Sequence, residues 1–345
     1  MATRGVKWDT CWVGCFSETS CILGSMHFDS CNMATQQPAP RLQRSNSNLG
    51  KPMPKSGKLP VADPSSFSKF FVILVMHVCK KIILIKTNLK VGYYMLAVTA
   101  GSLFFDLIPA PPTYFARKDN FLNWFFVRMG WGWTLLITGA YVFLTSYTYC
   151  CGNRNLVRQH LTRLALATCW WYSATSIFNY IDNLTGFCSV EGVRGKHKCI
   201  ENSGGWYSFD ISGHAFLLIF NLLVISEEVK SINGWERILE FIQSEEENPS
   251  KKLTGQERSQ LRLSYTNLTP LVRVNIAWIT IVQLVWEVML WSTIMYFHNL
   301  PQKFIAACFA VFGWFFIYQV LCRTKICVPV GTTGKEPHFK FIKQQ

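Results

Sequence analysis

Acidic residues are scarce in this chain of 345 residues: 20 Asp and Glu stand against 34 Lys and Arg, for a formal net charge of +14. In a soluble protein this excess would suggest a nucleic-acid partner, but the sequence has no nucleic-acid-binding motif. Charged residues make up only 16% of the chain, hydrophobic residues 50%, and the mean hydropathy is +0.17. That balance is typical of a membrane protein, in which Lys and Arg collect on cytoplasmic loops and near anionic headgroups.

Two further features are lacking. The first twenty residues have no long apolar core of the kind found in a signal peptide, so we expect insertion to use the first membrane helix. The 13 cysteines are too scattered for one disulfide framework, and those between residues 11 and 31 lack zinc-site spacing. We therefore expect no metal and no cofactor. Cys150 and Cys151 follow an apolar segment and are candidates for palmitoylation, with unmodified thiols as the alternative.

The hydropathy pattern divides the chain into four parts. Residues 1–65 are polar and predict a disordered cytoplasmic region, and 66–88 predict an interfacial helix whose apolar blocks are broken by Lys80 and Lys81. Residues 89–325 predict a domain of six transmembrane helices, followed by a cytoplasmic tail at 326–345. The fold class is thus an all-α polytopic membrane protein, each span approaching the roughly 20 residues that a membrane helix needs. The six predicted spans are 91–109, 121–147, 161–181, 211–225, 274–297 and 304–322.

Lys and Arg in the loops set the predicted orientation. They are more numerous before the first span, between the second and third, between the fourth and fifth, and after the sixth. Both termini are therefore expected to be cytoplasmic. The opposite side, lumenal or exterior, carries the sequon Asn183-Leu184-Thr185 and the pair Cys188 and Cys199, which could form a disulfide there.

Two histidines lie at the ends of apolar segments on that same side. Ser212 is a suitable N-cap, which places Gly213 and His214 in the first turn of the fourth span. Free N–H groups and the helix dipole suit a phosphate there, and glycine permits close approach. His298 closes the fifth span, so one imidazole is a candidate nucleophile and the other a candidate general acid. The alternative is a pair of interfacial histidines bonded to headgroups or carbonyls.

Other polar residues are weaker candidates. Arg128 lies inside the second span and either contacts phosphate or extends to the interface. Lys303, five residues after His298, and Lys118 are candidates for contact with a substrate phosphate or are solvated. Glu287 is expected to be a structural buried carboxyl.

Four separated blocks of sequence carry a resemblance to a known family. The segments are RKDNFLNWFFVRMGWGWT, TSIFNYIDNLTGFC, SFDISGHAFLL and MYFHNLPQKFIAACFAVFGW. They resemble, in order, the fat storage-inducing transmembrane proteins, and the similarity covers roughly residues 85 to 325.

The resemblance implies a fatty acyl-CoA diphosphatase of the endoplasmic reticulum membrane. Such an enzyme cleaves acyl-CoA in the lumen to acyl 4'-phosphopantetheine and adenosine 3',5'-bisphosphate, and it supports lipid droplet formation and lipid homeostasis. The resemblance also implies triacylglycerol and diacylglycerol binding, a relation to the lipid phosphate phosphatases, and active-site histidines at His214 and His298.

The chain departs from the lipid phosphate phosphatase pattern around the second histidine. That pattern has an arginine beside the serine that precedes the histidine, and an aspartate four residues after it. Here Trp291 precedes Ser292, and Gln302 follows His298. The roles of the two histidines therefore stay open. A lipid phosphate monoesterase and a non-catalytic neutral-lipid binder are the alternative functions.

Overall fold

The computed structural model describes residues 67–117, 120–193, 195–247 and 254–323. These residues are mostly helical, which confirms the all-α class. The predicted amino-terminal region and the predicted tail lie outside the described residues, as do Lys118 and the cysteines between 11 and 31.

Ten α-helices and a two-stranded antiparallel sheet are described. Short π-helical segments extend three of the helical regions: Ala97–Gly101 joins α2 to α3, Leu122–Val127 precedes α4, and Phe315–Val320 follows α10. The antiparallel strands are β1 (Phe187–Cys188) and β2 (Trp206–Tyr207). The helices are α1 (Phe67–Ile83), α2 (Thr87–Leu96), α3 (Ser102–Leu107), α4 (Gly130–Tyr149), α5 (Arg154–Thr185), α6 (Lys196–Glu201), α7 (Gly213–Glu228), α8 (Trp235–Glu247), α9 (Gly255–Tyr296) and α10 (Leu300–Trp314).

All six predicted spans are helical over most of their length. On length and composition, two helical stretches among the described residues are able to cross a membrane: Gly255–Tyr296 and Leu300–Val320. The number six stays a prediction. The predicted interfacial segment forms α1, which ends at Ile83 and exposes apolar side chains such as Phe70 and Phe71.

Helix α7 forms the centre of the bundle. Every residue from Ala215 to Glu228 is buried, because α4, α5, α9 and α10 pack around it. Its sequence is apolar on all sides, the pattern of a fully enclosed helix. The 16 residues of α7 extend about 24 Å, shorter than a typical membrane span. His214 therefore lies in the first turn of the most enclosed helix.

A buried ion pair fixes the other end of α7. Arg163 of α5 donates from Nε and Nη2 to the two carboxylate oxygens of Glu228, at 2.9 and 2.7 Å. The Tyr318 hydroxyl also donates to Glu228, and the Trp314 indole donates to Glu227. These bonds tie α5, α7 and the last helical stretch together.

The connection between α5 and α7 is closed by a disulfide between Cys188 and Cys199, as the sequence suggested. Asp182, at the end of α5, accepts hydrogen bonds from Lys196, Ser208 and Trp206. Burial raises the pKa of this carboxyl, but the hydrogen bonds outweigh burial and hold its pKa below the usual value. The loop is thus anchored four residues before the cap of α7.

Candidate active site

Ser212 caps α7, as the sequence predicts. Its Oγ accepts the Ala215 N–H at 3.3 Å, and its side chain is fully buried. Gly213 is exposed, and a Cβ added there would meet nothing within 4 Å. The first turn of α7 therefore opens onto free space, into which its N–H groups can receive an anion.

The His214 imidazole has a partner that the sequence analysis missed. Its Nε2 lies 3.0 Å from Oδ1 of Asn123, in the π-helical segment before α4. Asn123 is buried, and its own N–H donates to Oδ1 of Asn120 at 2.7 Å. The sequence feature that could have indicated this contact is the pair Asn120 and Asn123, three residues apart at the start of an apolar segment.

His298 occupies the turn between α9 and α10. Its φ is +55°, the left-handed region, which costs a residue with a Cβ about 1–2 kcal/mol. Its Nδ1 lies 3.3 Å from Oε1 of Gln302. The same Oε1 accepts the Asn299 backbone N–H at 3.2 Å, as one half of a capping box at the start of α10.

Gln302 links the two histidine-bearing segments. The Ser212 N–H donates to the Gln302 carbonyl at 3.3 Å, while the Gln302 side chain contacts His298. The start of α7 and the α9–α10 turn therefore meet at one place. That both imidazoles act on one phosphate stays a prediction.

The two predicted cationic residues have different surroundings. Arg128 is exposed and follows the π-helical segment, where its N–H donates to the Asn123 carbonyl at 3.0 Å. Lys303 is 1% exposed, donates to the Ile294 carbonyl at 2.9 Å and lies 3.9 Å from Asp106. The backbone contact places Arg128 in the turn that follows Asn123, and its role as a phosphate contact stays a prediction. Lys303 makes a contact that holds the α9–α10 turn. The prediction that Lys303 binds substrate gains no support from it.

Two polar residues on the bundle helices make structural contacts: Glu287, which is half-buried and was expected to be structural, and Asn221, which is buried. Glu287 accepts a hydrogen bond from the Tyr94 hydroxyl at 2.6 Å. Asn221 of α7 donates to the Gly130 carbonyl at 3.3 Å and so joins α7 to α4. Both bonds connect helices.

Comparison with known proteins identifies the family. The family described as "Fat storage-inducing transmembrane protein" matches residues 111–184 and 183–318. The chain belongs to this family. It is therefore a membrane protein, and all four of Asn123, His214, His298 and Gln302 lie within the ranges that match the fat storage-inducing transmembrane family.

Curated relatives in this family carry a name that states an activity. Acyl-coenzyme A diphosphatase FITM2 of Drosophila melanogaster is 36% identical over 317 residues, which cover 89% of this chain and 73% of that protein. The protein of the same name from Homo sapiens is 34% identical over 230 residues, 64% of this chain and 78% of its own length. The Caenorhabditis elegans protein is 25% identical over 262 residues, with 75% and 88% covered. No solved structure matches this chain.

Proposed function

We propose that this chain is a fatty acyl-CoA diphosphatase of the endoplasmic reticulum membrane. It cleaves the diphosphate of acyl-CoA into acyl 4'-phosphopantetheine and adenosine 3',5'-bisphosphate. The observation that carries the proposal is the meeting of the His214 and His298 segments through Gln302, in a chain 36% identical to a protein named acyl-coenzyme A diphosphatase. Lipid droplet formation and lipid homeostasis are the processes that this activity serves.

The reaction needs a nucleophile at phosphorus and a proton for the oxygen that leaves. One imidazole attacks phosphorus or takes a proton from the attacking water, and the other protonates the bridging oxygen as the P–O bond breaks. Where the imidazole itself attacks, water then hydrolyses the N–P bond of the phosphohistidine, which releases the second product and frees the histidine. The first-turn N–H groups of α7, with the positive end of its dipole, stabilise the charge on the phosphate oxygens. Arg128, exposed beside the Asn123 segment, is the proposed cationic contact.

The proposed architecture has six membrane helices, cytoplasmic termini, a lumenal site and a relation to the lipid phosphate phosphatases. The amino-terminal region 1–65, the interfacial helix, the catalytic domain 89–325 and the tail 326–345 complete it. The disulfide beside α7 supports the lumenal position of the loop that carries it, because such a bond persists in an oxidising compartment. The acyl chain lies between helices in the bilayer, where triacylglycerol and diacylglycerol are proposed to bind as well.

Purified protein incubated with oleoyl-CoA in detergent tests the activity. We expect adenosine 3',5'-bisphosphate and acyl phosphopantetheine by mass spectrometry, and a loss of at least about 10²-fold in His214→Ala and in His298→Asn. Asparagine suits the second position because it tolerates a left-handed φ. His77→Ala, an exposed histidine on α1, is the matched control and should retain full activity.

The alternative outcomes separate the rival functions. Release of inorganic phosphate from phosphatidate, with oleoyl-CoA left intact, would indicate a lipid phosphate monoesterase. A folded wild type that turns over neither substrate but binds triacylglycerol would indicate a neutral-lipid binder. Full activity in both histidine variants would contradict the two-histidine mechanism.

A further inference from the structure

The neighbour of His298 is a glutamine whose two amide atoms can be told apart by their contacts. Gln302 Oε1 accepts the backbone N–H of Asn299 at 3.2 Å. If the amide nitrogen of Gln302 occupied that position instead, its N–H group would face the Asn299 N–H, and two donors would point at each other. The atom beside the backbone is therefore the oxygen, which offers lone pairs and no proton.

The same oxygen faces Nδ1 of His298 at 3.3 Å. Since an amide oxygen only accepts, the Nδ1 atom must carry the hydrogen and donate it. In the neutral imidazole the lone pair is then on Nε2, on the opposite edge of the ring. The Asn299 N–H thus determines the orientation of the Gln302 amide, and the amide oxygen determines the tautomer of His298.

We propose that Gln302 is the positioning residue of His298, holding the Nδ1–H tautomer so that Nε2 presents its lone pair to the substrate phosphorus or to the attacking water. The inference rests on the proposed function of His298 as nucleophile or base. It assigns the base to His298 and leaves the proton for the leaving oxygen to His214.

The turn geometry makes this arrangement rigid. Phe297 and Asn299 are extended, and His298 between them has its φ in the left-handed region. The Leu300 N–H donates to Asp106 at 3.0 Å, and Lys303 donates to the last turn of α9. The imidazole is therefore attached to a backbone that is fixed on both sides.

A glutamine and a carboxylate at this position would have different effects on the protonation of His298. A carboxylate would accept the Nδ1–H and would also favour the imidazolium by its charge. The amide of Gln302 accepts the hydrogen bond without adding a negative charge. Gln302 thereby selects the tautomer while favouring the unprotonated base more than a carboxylate there would.

The variants Gln302→Met and Gln302→Glu test the inference in the full-length protein. We expect Gln302→Met to lower kcat about 10²-fold with little change in KM, because the imidazole loses its orientation. Gln302→Glu keeps the acceptor and the capping box. It should restore most of the activity and move the acid limb of the kcat/KM profile up by about one pH unit, since a nearby carboxylate raises the histidine pKa.

Asn299→Ala is the matched control. It removes the side chain of the other capping-box residue, at a cost of about 1 kcal/mol in stability, but it leaves the contact between Gln302 and His298. If Asn299→Ala and Gln302→Met lose activity equally, or if Gln302→Glu leaves the pH profile unmoved, Gln302 is only a helix cap and the inference is wrong.

A second readout does not depend on activity. Nitrogen-15 NMR of histidine-labelled protein, with the His298 signal assigned from His298→Asn, should show the Nδ1–H tautomer in wild type and its loss in Gln302→Met. An Nε2–H tautomer in wild type would overturn the inference even if the enzyme is active. An Nδ1–H tautomer that is lost in Gln302→Met would uphold the assignment of the hydrogen bond even if acyl-CoA were not the substrate.

Discussion

At the residue scale, the position of His214 depends on its capping serine, Ser212, and on a hydrogen-bond contact with Asn123. Ser212 as the cap and His214 in the first turn follow from local sequence, because capping involves residues three apart. The contact between His214 and Asn123 joins residues 91 positions apart and depends on packing of α7 against the segment before α4. No local pattern specifies such a pairing.

Gly213 offers a residue-scale prediction. Gly213→Ala should leave stability unchanged or slightly higher, since the added methyl meets nothing within 4 Å and alanine favours a helix. The same methyl would stand where a phosphate approaches the N–H groups. We expect kcat/KM for oleoyl-CoA to fall about 10- to 100-fold.

Gly132→Ala is the control for that variant. Gly132 is also exposed, in the first turn of α4, with nothing within 4 Å of an added Cβ. Equal kinetics for the two alanine variants would argue against phosphate binding at the start of α7.

At the element scale, the apolar segments indicated where helices lie but not how far they extend. The fifth predicted span begins at 274, whereas α9 begins at Gly255. The additional turns are polar and start at a capping box of Thr254 and Glu257, and the helix continues through Pro270. Hydropathy detects only the apolar portion of a helix. A polar extension can be predicted only from its capping residues, here Thr254 and Glu257. The π-helical segment holding Asn123 likewise leaves no periodic signal.

The buried end of α7 yields a prediction at this scale. Glu228→Gln leaves Arg163 buried with its carboxylate partner removed, so we expect a loss of about 3–5 kcal/mol in the free energy of unfolding. Thermal unfolding in detergent would measure it.

Two comparisons sharpen that measurement. Glu246→Gln breaks a largely exposed pair with Arg262 and should change stability by no more than about 1 kcal/mol. Joint replacement of Arg163 and Glu228 by methionine should recover much of the loss. If Glu228→Gln is no worse than Glu246→Gln, the buried pair is not a stabilising contact.

At the scale of the whole molecule, the disulfide and the charge distribution concern the same property, orientation in the membrane. The sequence places Cys188 and Cys199 together on the predicted lumenal side, and the structure bonds them. The apolar segments of the sequence predict six spans, whereas two helical stretches among the described residues are both long enough and apolar enough to cross a membrane. Of the other predicted spans, the fourth is short because α7 has 16 residues, and the first and second contain π-helical segments, whereas the third lies in an uninterrupted helix of 32 residues.

The disulfide gives the prediction for this scale. The Cys188→Ser/Cys199→Ser double variant should lose about 2–3 kcal/mol of stability, because the bond closes a short loop. In wild-type protein from unreduced cells, neither thiol should react with a maleimide until reductant is added. Labelling of both thiols without reductant would contradict a lumenal position for this loop.

The ion pair at the end of α7 also has a consequence for biosynthesis. As the chain emerges, α7 is only 16 residues long and ends in two glutamates, a poor segment to enter a bilayer alone. Arg163 has already been synthesised by then and Lys230 follows at once, but Trp314 and Tyr318, two further partners of these carboxylates, are still about 90 residues away. The hydrogen bonds at the end of α7 are therefore complete only after the last helical stretch has been synthesised. His214, at the start of α7, reaches its final position only when the whole bundle has assembled.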